Sequence, residues 1–172
     1  MKKPKRKRIL IILLSIIVLG FLLPQKIIIP VKGASGFDWN KDSFWYYPWG
    51  ESVTHKGIDI FAERGTPVVS ATSGIVIYAG SLGRGGKIVV VLGSKWRLHY
   101  YAHLDTIDCN KLSFRRKGTK LGTVGNTGNA ENTPAHLHYS IITTFPYPWR
   151  ADNSPQGWKK MFFLDPDPFL KQ

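Results

Sequence analysis

From residue 57 onward, apolar residues come in short runs broken by glycine-rich turns. The runs are "GIDIF" (57–61), "TPVVSA" (66–71), "GIVIYAG" (74–80), "GKIVVVLG" (86–93), "WRLHYYAHL" (96–104), "GTKLGTVGN" (118–126) and "AHLHYSIITT" (135–144). They are rich in β-branched and aromatic residues, and none of helical length shows a 3.6-residue apolar period. Many short strands with regular glycine turns predict an all-β, antiparallel fold, a two-layer sheet or a partly open barrel. The end, "FFLDPDPFL", is a proline-punctuated tail expected to pack on the sheet.

Strand periodicity places particular side chains together. In "AHLHYSI", His136 and His138 are two apart, so they share a face, while Leu137 and Tyr139 point into the core. In "HYYAHLD", the same rule puts His99, Tyr101 and His103 on one face and Tyr100 and Ala102 on the other. His55 and Asp59 are four apart, an even spacing that again gives one face in an extended chain. Asp59 lies between Ile58 and Ile60, where a carboxylate is costly unless it is paired or binds a metal.

The N-terminus follows a different pattern. "MKKPKRKR" (1–8) is strongly basic, and an uncharged apolar run covers residues 9–23, extended by Ile27, Ile28 and Ile29. A basic flank before an apolar run marks a membrane anchor or signal segment, here assigned to residues 9–29. The positive-inside rule keeps residues 1–8 in the cytoplasm and sends the remainder outward, as a single-pass protein of the cytoplasmic membrane with its domain on the periplasmic or extracytoplasmic side. Residues 30–49 then read as an aromatic linker and 50–172 as the functional domain.

This topology changes the meaning of the charge. The chain has 24 Lys and Arg against 11 Asp and Glu, a formal net of +13. Eight of the basic residues fall in the first 32 positions, which contain no acidic residue. The exported part therefore carries a mild excess without an arginine-rich motif, and nucleic acid is not the expected partner. An anionic envelope polymer suits it better. The single cysteine, Cys109, allows neither a disulfide framework nor a thiolate metal cluster. A metal site must use histidine and carboxylate.

Such a site can be assembled. His55, Asp59 and one histidine of the His136–His138 pair supply the three protein ligands of a catalytic zinc centre, which keeps its remaining position open. The other histidine of the pair, with His103, is then free for proton transfer or oxyanion stabilisation. A two-histidine, one-carboxylate iron oxygenase is the competing use of this donor set, but it has no role for the additional histidines.

The order H-x-x-x-D in "HKGIDIFAERGTPVVSATSGIVIYAG", then "YYAHLD", then "KGTKLGTVGNTGNAENTPAHLHYSI", resembles the lysostaphin-like (LytM-type) zinc metallopeptidases. The likeness runs from about residue 50 to 143. It implies a duplicated-hybrid-motif type β fold with a groove over one sheet. It also implies one zinc ion held by His55, Asp59 and His138, with His103 and His136 as non-ligand catalytic histidines. The implied activity is cleavage of peptide bonds in peptidoglycan stems or cross-links. The competing expectation is a non-catalytic wall-binding or hydrolase-activating protein of the same fold, and a regulatory partner is open in either case. Tyr101 and His99 are candidate supporting residues. "FWYYPWGESVT" lacks the family's F-G-x-R pattern ahead of His55. The upstream Asn40 is a candidate inhibitory ligand, and "GRGGK" (83–87) reads as a hairpin turn.

Overall fold

The structure is a computed structural model that describes residues 4–170. The first three residues of the basic flank and the last two of the chain lie outside the described residues. Helix α1 (Pro4–Leu22) precedes nine strands: β1 (Ile58–Phe61), β2 (Pro67–Val69), β3 (Gly74–Ser81), β4 (Lys87–Gly93), β5 (Arg97–Ile107), β6 (Phe114–Arg115), β7 (Lys120–Val124), β8 (His136–Thr143) and β9 (Phe163–Leu164). A single helical turn, α2 (Asp167–Leu170), ends the described chain. Each of the seven apolar runs contains one strand. The strands missed are two-residue pairs, too short for any periodicity to reveal.

All pairings are antiparallel, in the order β1-β8-β5-β4-β3-β6. Strand β5 organises the sheet. Its first half lies between β4 and β8, and its second half turns to pair with β7, which in turn pairs with β2. The change of partners coincides with irregular register on the β4 side between Val89 and Lys87 and on the β7 side between Leu104 and Thr106. Bulges of this kind bend a strand and re-aim its side chains.

One face of this sheet is the core. Ile58, Ile60, Val89, Val91, Leu137, Tyr139 and Ile141 are fully buried on it. Each fully buried aliphatic side chain contributes about 1.5–3 kcal/mol relative to exposure. The alternation expected along β8 holds: Leu137 and Tyr139 are in the core cluster, and His136 and His138 are not.

Several residues of the 27–49 segment pack against the sheet. Ile27 and Val31 are core residues, and this segment runs alongside β2 through Ile28 N–H to Ala71 O and Val69 N–H to Pro30 O. Trp39 donates to Asp167 and Trp45 to the Pro155 carbonyl. Helix α1 docks only its C-terminal end, where Trp96 Nε1 donates to Ile17 O and Lys95 Nζ to Phe21 O. Gly20 permits this approach, because a Cβ there would meet the Trp96 ring at 2.3 Å. Among the described residues no helix is long and apolar enough to cross a membrane.

Candidate metal centre

Strand pairing brings the principal polar groups together. Asp59 on β1 lies opposite His138 on β8, and Ala102 on β5 lies opposite His138 from the other side. The small Ala102 leaves room for the imidazole. His55 enters from the turn before β1. The result is His55 Nε2 at 3.1 Å from Asp59 Oδ1 and 3.0 Å from His138 Nδ1, with His138 Nδ1 at 2.8 Å from Asp59 Oδ1.

The ring protons show what these atoms can hold. A carbonyl oxygen only accepts, so His55 Nδ1–H donates to Ser43 O at 3.0 Å and leaves Nε2 as a lone-pair donor. With His138 Nδ1 turned to the cluster, its Nε2–H donates to Ser140 Oγ at 3.0 Å. Two imidazole lone pairs and a carboxylate oxygen then face one point, with their ring protons committed elsewhere. Such a set fits a cation. A tetrahedral zinc ion with bonds of about 2.0–2.1 Å spaces its ligands by roughly 3.3 Å, close to the separations found here. Partners that fix the far side of each ring are the usual second layer of a metal site.

Two more histidines point into the same cleft. His136 Nδ1–H donates to Pro134 O at 2.8 Å, and its Nε2 lies 3.9 Å from Asp59 Oδ1. His103 Nδ1–H donates to Thr127 O at 2.8 Å. The His103 and His136 rings meet edge to face at 5.1 Å. Both present Nε2 to the cleft. His103 has φ = +63°, a left-handed conformation that costs a non-glycine residue on the order of 1–2 kcal/mol. Its imidazole is pulled down to a pKa of about 4, first by burial and then by the neighbouring His138 and His136, against the Thr127 hydrogen bond. Burial alone would raise the Asp59 carboxyl, but it is held well below the ordinary carboxylate range whenever His138 and His55 carry protons on the nitrogens that face it.

The simple alternation expected along β5 does not survive the bulge. Tyr100, Ala102 and His103 line the cleft, whereas His99 and Tyr101 face the interior. The left-handed His103 inserts one residue into the repeat and brings its side chain to the opposite face from Tyr101. Tyr101 is fully buried, and its hydroxyl accepts the Ala71 N–H at 2.8 Å, so it does not orient His103. His99 is also fully buried, 2.6 Å from the Tyr139 hydroxyl and 3.1 Å from Gln25 Nε2. Asn40 is exposed, and its side chain accepts the Asp42 N–H in a local turn.

Two aromatic side chains also border the site, one of them from the aromatic segment at 44–49. Trp49 stacks on His55 with ring centroids 4.2 Å apart, and Tyr100 meets His138 edge-on at 6.2 Å. The cleft has a volume of about 510 Å³.

An antiparallel sheet that gathers two histidines and a carboxylate able to hold a metal ion, with two further histidines beside them, is an arrangement suited to metal-assisted hydrolysis. The profile of peptidase family M23 matches residues 53–148, more than half of the chain, and the chain belongs to that family. It is 39% identical over 88 residues to the lipoprotein YgeR of Escherichia coli K12, covering 51% of this chain and 34% of that protein. It is 34% identical over 88 residues to the murein hydrolase activator NlpD of Salmonella dublin, covering 51% and 22%. It is 33% identical over 88 residues to the peptidoglycan DD-endopeptidase ShyA of Vibrio cholerae, covering 51% and 20%. The matched region is thus about a third or less of these relatives' length. Among solved structures, the catalytic domain of the antimicrobial peptidase lysostaphin from Staphylococcus simulans superposes with a TM-score of 0.61 at 28% identity, covering 76% of this chain and 90% of that one. A zinc-containing peptidase from Vibrio cholerae gives 0.54 at 27% identity, covering 68% and 37%. The fold is therefore the all-β fold of lysostaphin.

Proposed function

We propose that this protein is a zinc-dependent endopeptidase that hydrolyses peptide bonds in the stems or cross-links of bacterial peptidoglycan. The observation that carries the reading is the convergence of His55 Nε2, His138 Nδ1 and Asp59 Oδ1 at 2.8–3.1 Å, with two non-ligand histidines facing the same point. His55, Asp59 and His138 would hold the ion. When bound, zinc acts as a Lewis acid on a scissile carbonyl and makes a water acidic enough to react near neutral pH. The single carboxylate leaves the centre net positive, which favours that chemistry.

The chain's own residues supply the remainder. Ser43 O and Ser140 Oγ fix the two imidazole ligands in orientation. His103 and His136 are held by backbone carbonyls with Nε2 toward the cleft, where one takes the proton of the attacking water. The other, as an imidazolium that keeps Nδ1–H on its carbonyl and also carries a proton on Nε2, donates from Nε2 to the oxygen that becomes negative as the carbonyl turns tetrahedral. The likeness to ShyA, an endopeptidase, and to lysostaphin, a peptidase, supports the reaction class.

Location belongs to the same proposal. Helix α1 exposes Ile11 at 62% and Leu19 at 60%, and most of its apolar side chains are similarly open. A lone helix apolar on nearly every side gains little in water, and lipid is the solvent that fits it. In this proposal the N-terminal segment anchors the chain with its basic flank on the cytoplasmic side and the domain at the outer face, and because helix α1 is not by itself long and apolar enough to cross, the apolar residues that follow it would have to complete the anchor. Membrane fractionation of the full chain, against one starting at Gln25, tests this: the full chain pellets with membranes and the shortened one does not.

The second reading, a non-catalytic activator of another hydrolase, is favoured by the likeness to NlpD. One experiment separates the two. The full chain is incubated with purified peptidoglycan, with and without a chelator, and soluble products are identified by mass spectrometry beside a His138→Ala control. Peptide products that vanish with chelator and in the control support the enzyme. No products from several wall types, despite bound zinc, support the activator.

A further inference from the structure

Two loops border the cleft, and an ion pair joins them at its rim. The first wall is residues 50–52, next to Trp49, which stacks on His55. The second is the 83–85 turn of the β3–β4 hairpin. Arg84 reaches from the hairpin to Glu51 at 2.7 Å. The hairpin's position is fixed tightly. A Cβ at Gly85 would lie 2.2 Å from the Tyr100 hydroxyl, and Gly86 and Gly128 approach so closely that a Cβ at Gly86 would be 2.5 Å from Gly128 N. Lys87 N–H also donates to Thr127 Oγ1 at 2.9 Å, in the loop whose carbonyl holds His103. Arg84 is therefore placed against both the Tyr100–His138 contact and the His103 loop.

The charges in the cleft are unequal. Among the described residues lining it, the charged ones are Lys56, Arg84 and Asp59, and Asp59 belongs to the metal cluster. Lys56 is committed to the Ser52 and Thr54 carbonyls. Arg84 is held only by an exposed partner: Glu51 is 81% and Arg84 55% accessible. Exposed pairs of this kind add little net stability, so a competing carboxylate exchanges for Glu51 at low cost. A guanidinium matches a carboxylate through two parallel hydrogen bonds.

We propose that Arg84 is a specificity-determining residue that binds a free carboxylate of the peptide substrate, and that Glu51 is the resting partner it gives up. This deepens the endopeptidase reading and rests on it for the identity of the substrate. The consequence is a preference for peptides with free carboxylates over the same peptides amidated.

The test uses the full chain, its Arg84→Gln and Glu51→Gln variants, and two probes: a peptidoglycan stem peptide with its carboxylates free, and the same peptide with them amidated. Affinity is measured by calorimetry on chelator-treated protein, and kcat/KM on zinc-loaded protein. The original chain favours the free-carboxylate peptide by about tenfold in affinity, and the preference shrinks with added salt. Arg84→Gln lowers affinity for the free-carboxylate peptide about tenfold more than for the amidated one. Glu51→Gln strengthens binding of the free-carboxylate peptide. Equal losses on both peptides in Arg84→Gln, or no preference in the original chain, overturn the proposal. Binding preference without cleavage of either peptide overturns the endopeptidase reading alone.

Discussion

His99 and His103 sit four residues apart on the same strand, β5, and the even spacing suggests equal roles. Their surroundings differ completely. His99 is enclosed, with the Tyr139 hydroxyl at one nitrogen and Gln25 at the other. Burial first, and the nearby Arg97 second, pull its pKa down to about 3. His103 has one nitrogen tied to Thr127 O and the other turned to the cleft beside His136 and His138. A histidine whose two nitrogens are both engaged inside the core is structural. One anchored at a single nitrogen, with the other facing a cleft, is equipped for chemistry. A single left-handed residue in a bulge makes the difference, because it exchanges the faces between Tyr101 and His103.

Replacing a cleft ligand should have the largest effect. Asp59→Ala or His138→Ala removes one of three ligands, and stoichiometric zinc, measured by mass spectrometry under native conditions, should be lost. Turnover should fall by at least about a thousandfold, since the metal supplies several kcal/mol of transition-state stabilisation. Retained zinc with retained turnover would break the assignment of the cluster.

Next comes His103→Ala. Zinc content should be unchanged while kcat falls by about 10²–10⁴-fold, the range for loss of a general acid–base group. Stability should hold or rise, because alanine at this φ still pays the strain but no longer buries an imidazole. The parallel His99→Gln variant should keep both zinc and kcat, and equal losses from the two variants would erase the contrast between them.

Ser140→Ala is a smaller perturbation. It removes the oxygen that receives the His138 Nε2 proton, so zinc affinity should fall by about 10–100-fold in a competitive chelator titration. The backbone and the other ligands stay in place.

The core face responds only in stability. Tyr101→Phe leaves the buried Ala71 N–H without its acceptor and should cost about 1–3 kcal/mol in denaturant unfolding, with kcat unchanged. His99 should make its mark in pH dependence. Its folded pKa, about 3, lies below the ordinary histidine value of 6.5, so the unfolded chain takes up the proton first. The stability it contributes is therefore complete above pH 6.5 and is lost as pH falls toward 3. His99→Gln should flatten that part of the stability profile relative to the original chain. An unchanged slope would mean that His99 is not held neutral in the folded protein.

The regular parts of the molecule were readable from residue pattern. Each apolar run marked one strand, and the two-residue spacing of His136 and His138 correctly put them on one face of β8, whereas the pairing of Asp59 with His138 comes from β1 and β8 meeting in register, which the run pattern does not give. What failed was local backbone geometry. Nothing in "HYYAHLD" announces a left-handed His103, and two-fold periodicity then places Tyr101 on the wrong face. Ile27 to Ile29 read as an extension of the apolar N-terminal run, because a buried edge segment and a lipid-facing one have the same composition. Trp49 was visible only as one of an aromatic cluster at 44–49, without its stacking on His55. Ser43 and Ser140 were invisible for a different reason: their roles come from being partners of ring nitrogens, which spacing along one strand cannot supply.

The most direct test of the cleft face is X-ray absorption at the zinc edge on the zinc-loaded full chain, with His99→Gln and His138→Ala beside it. The account predicts one ion per chain, two imidazole nitrogens and carboxylate oxygen at about 2.0–2.1 Å, no sulfur, and the same spectrum in His99→Gln. Sulfur from Cys109 in the coordination shell, a spectrum altered by His99→Gln, or stoichiometric zinc retained in His138→Ala would contradict it.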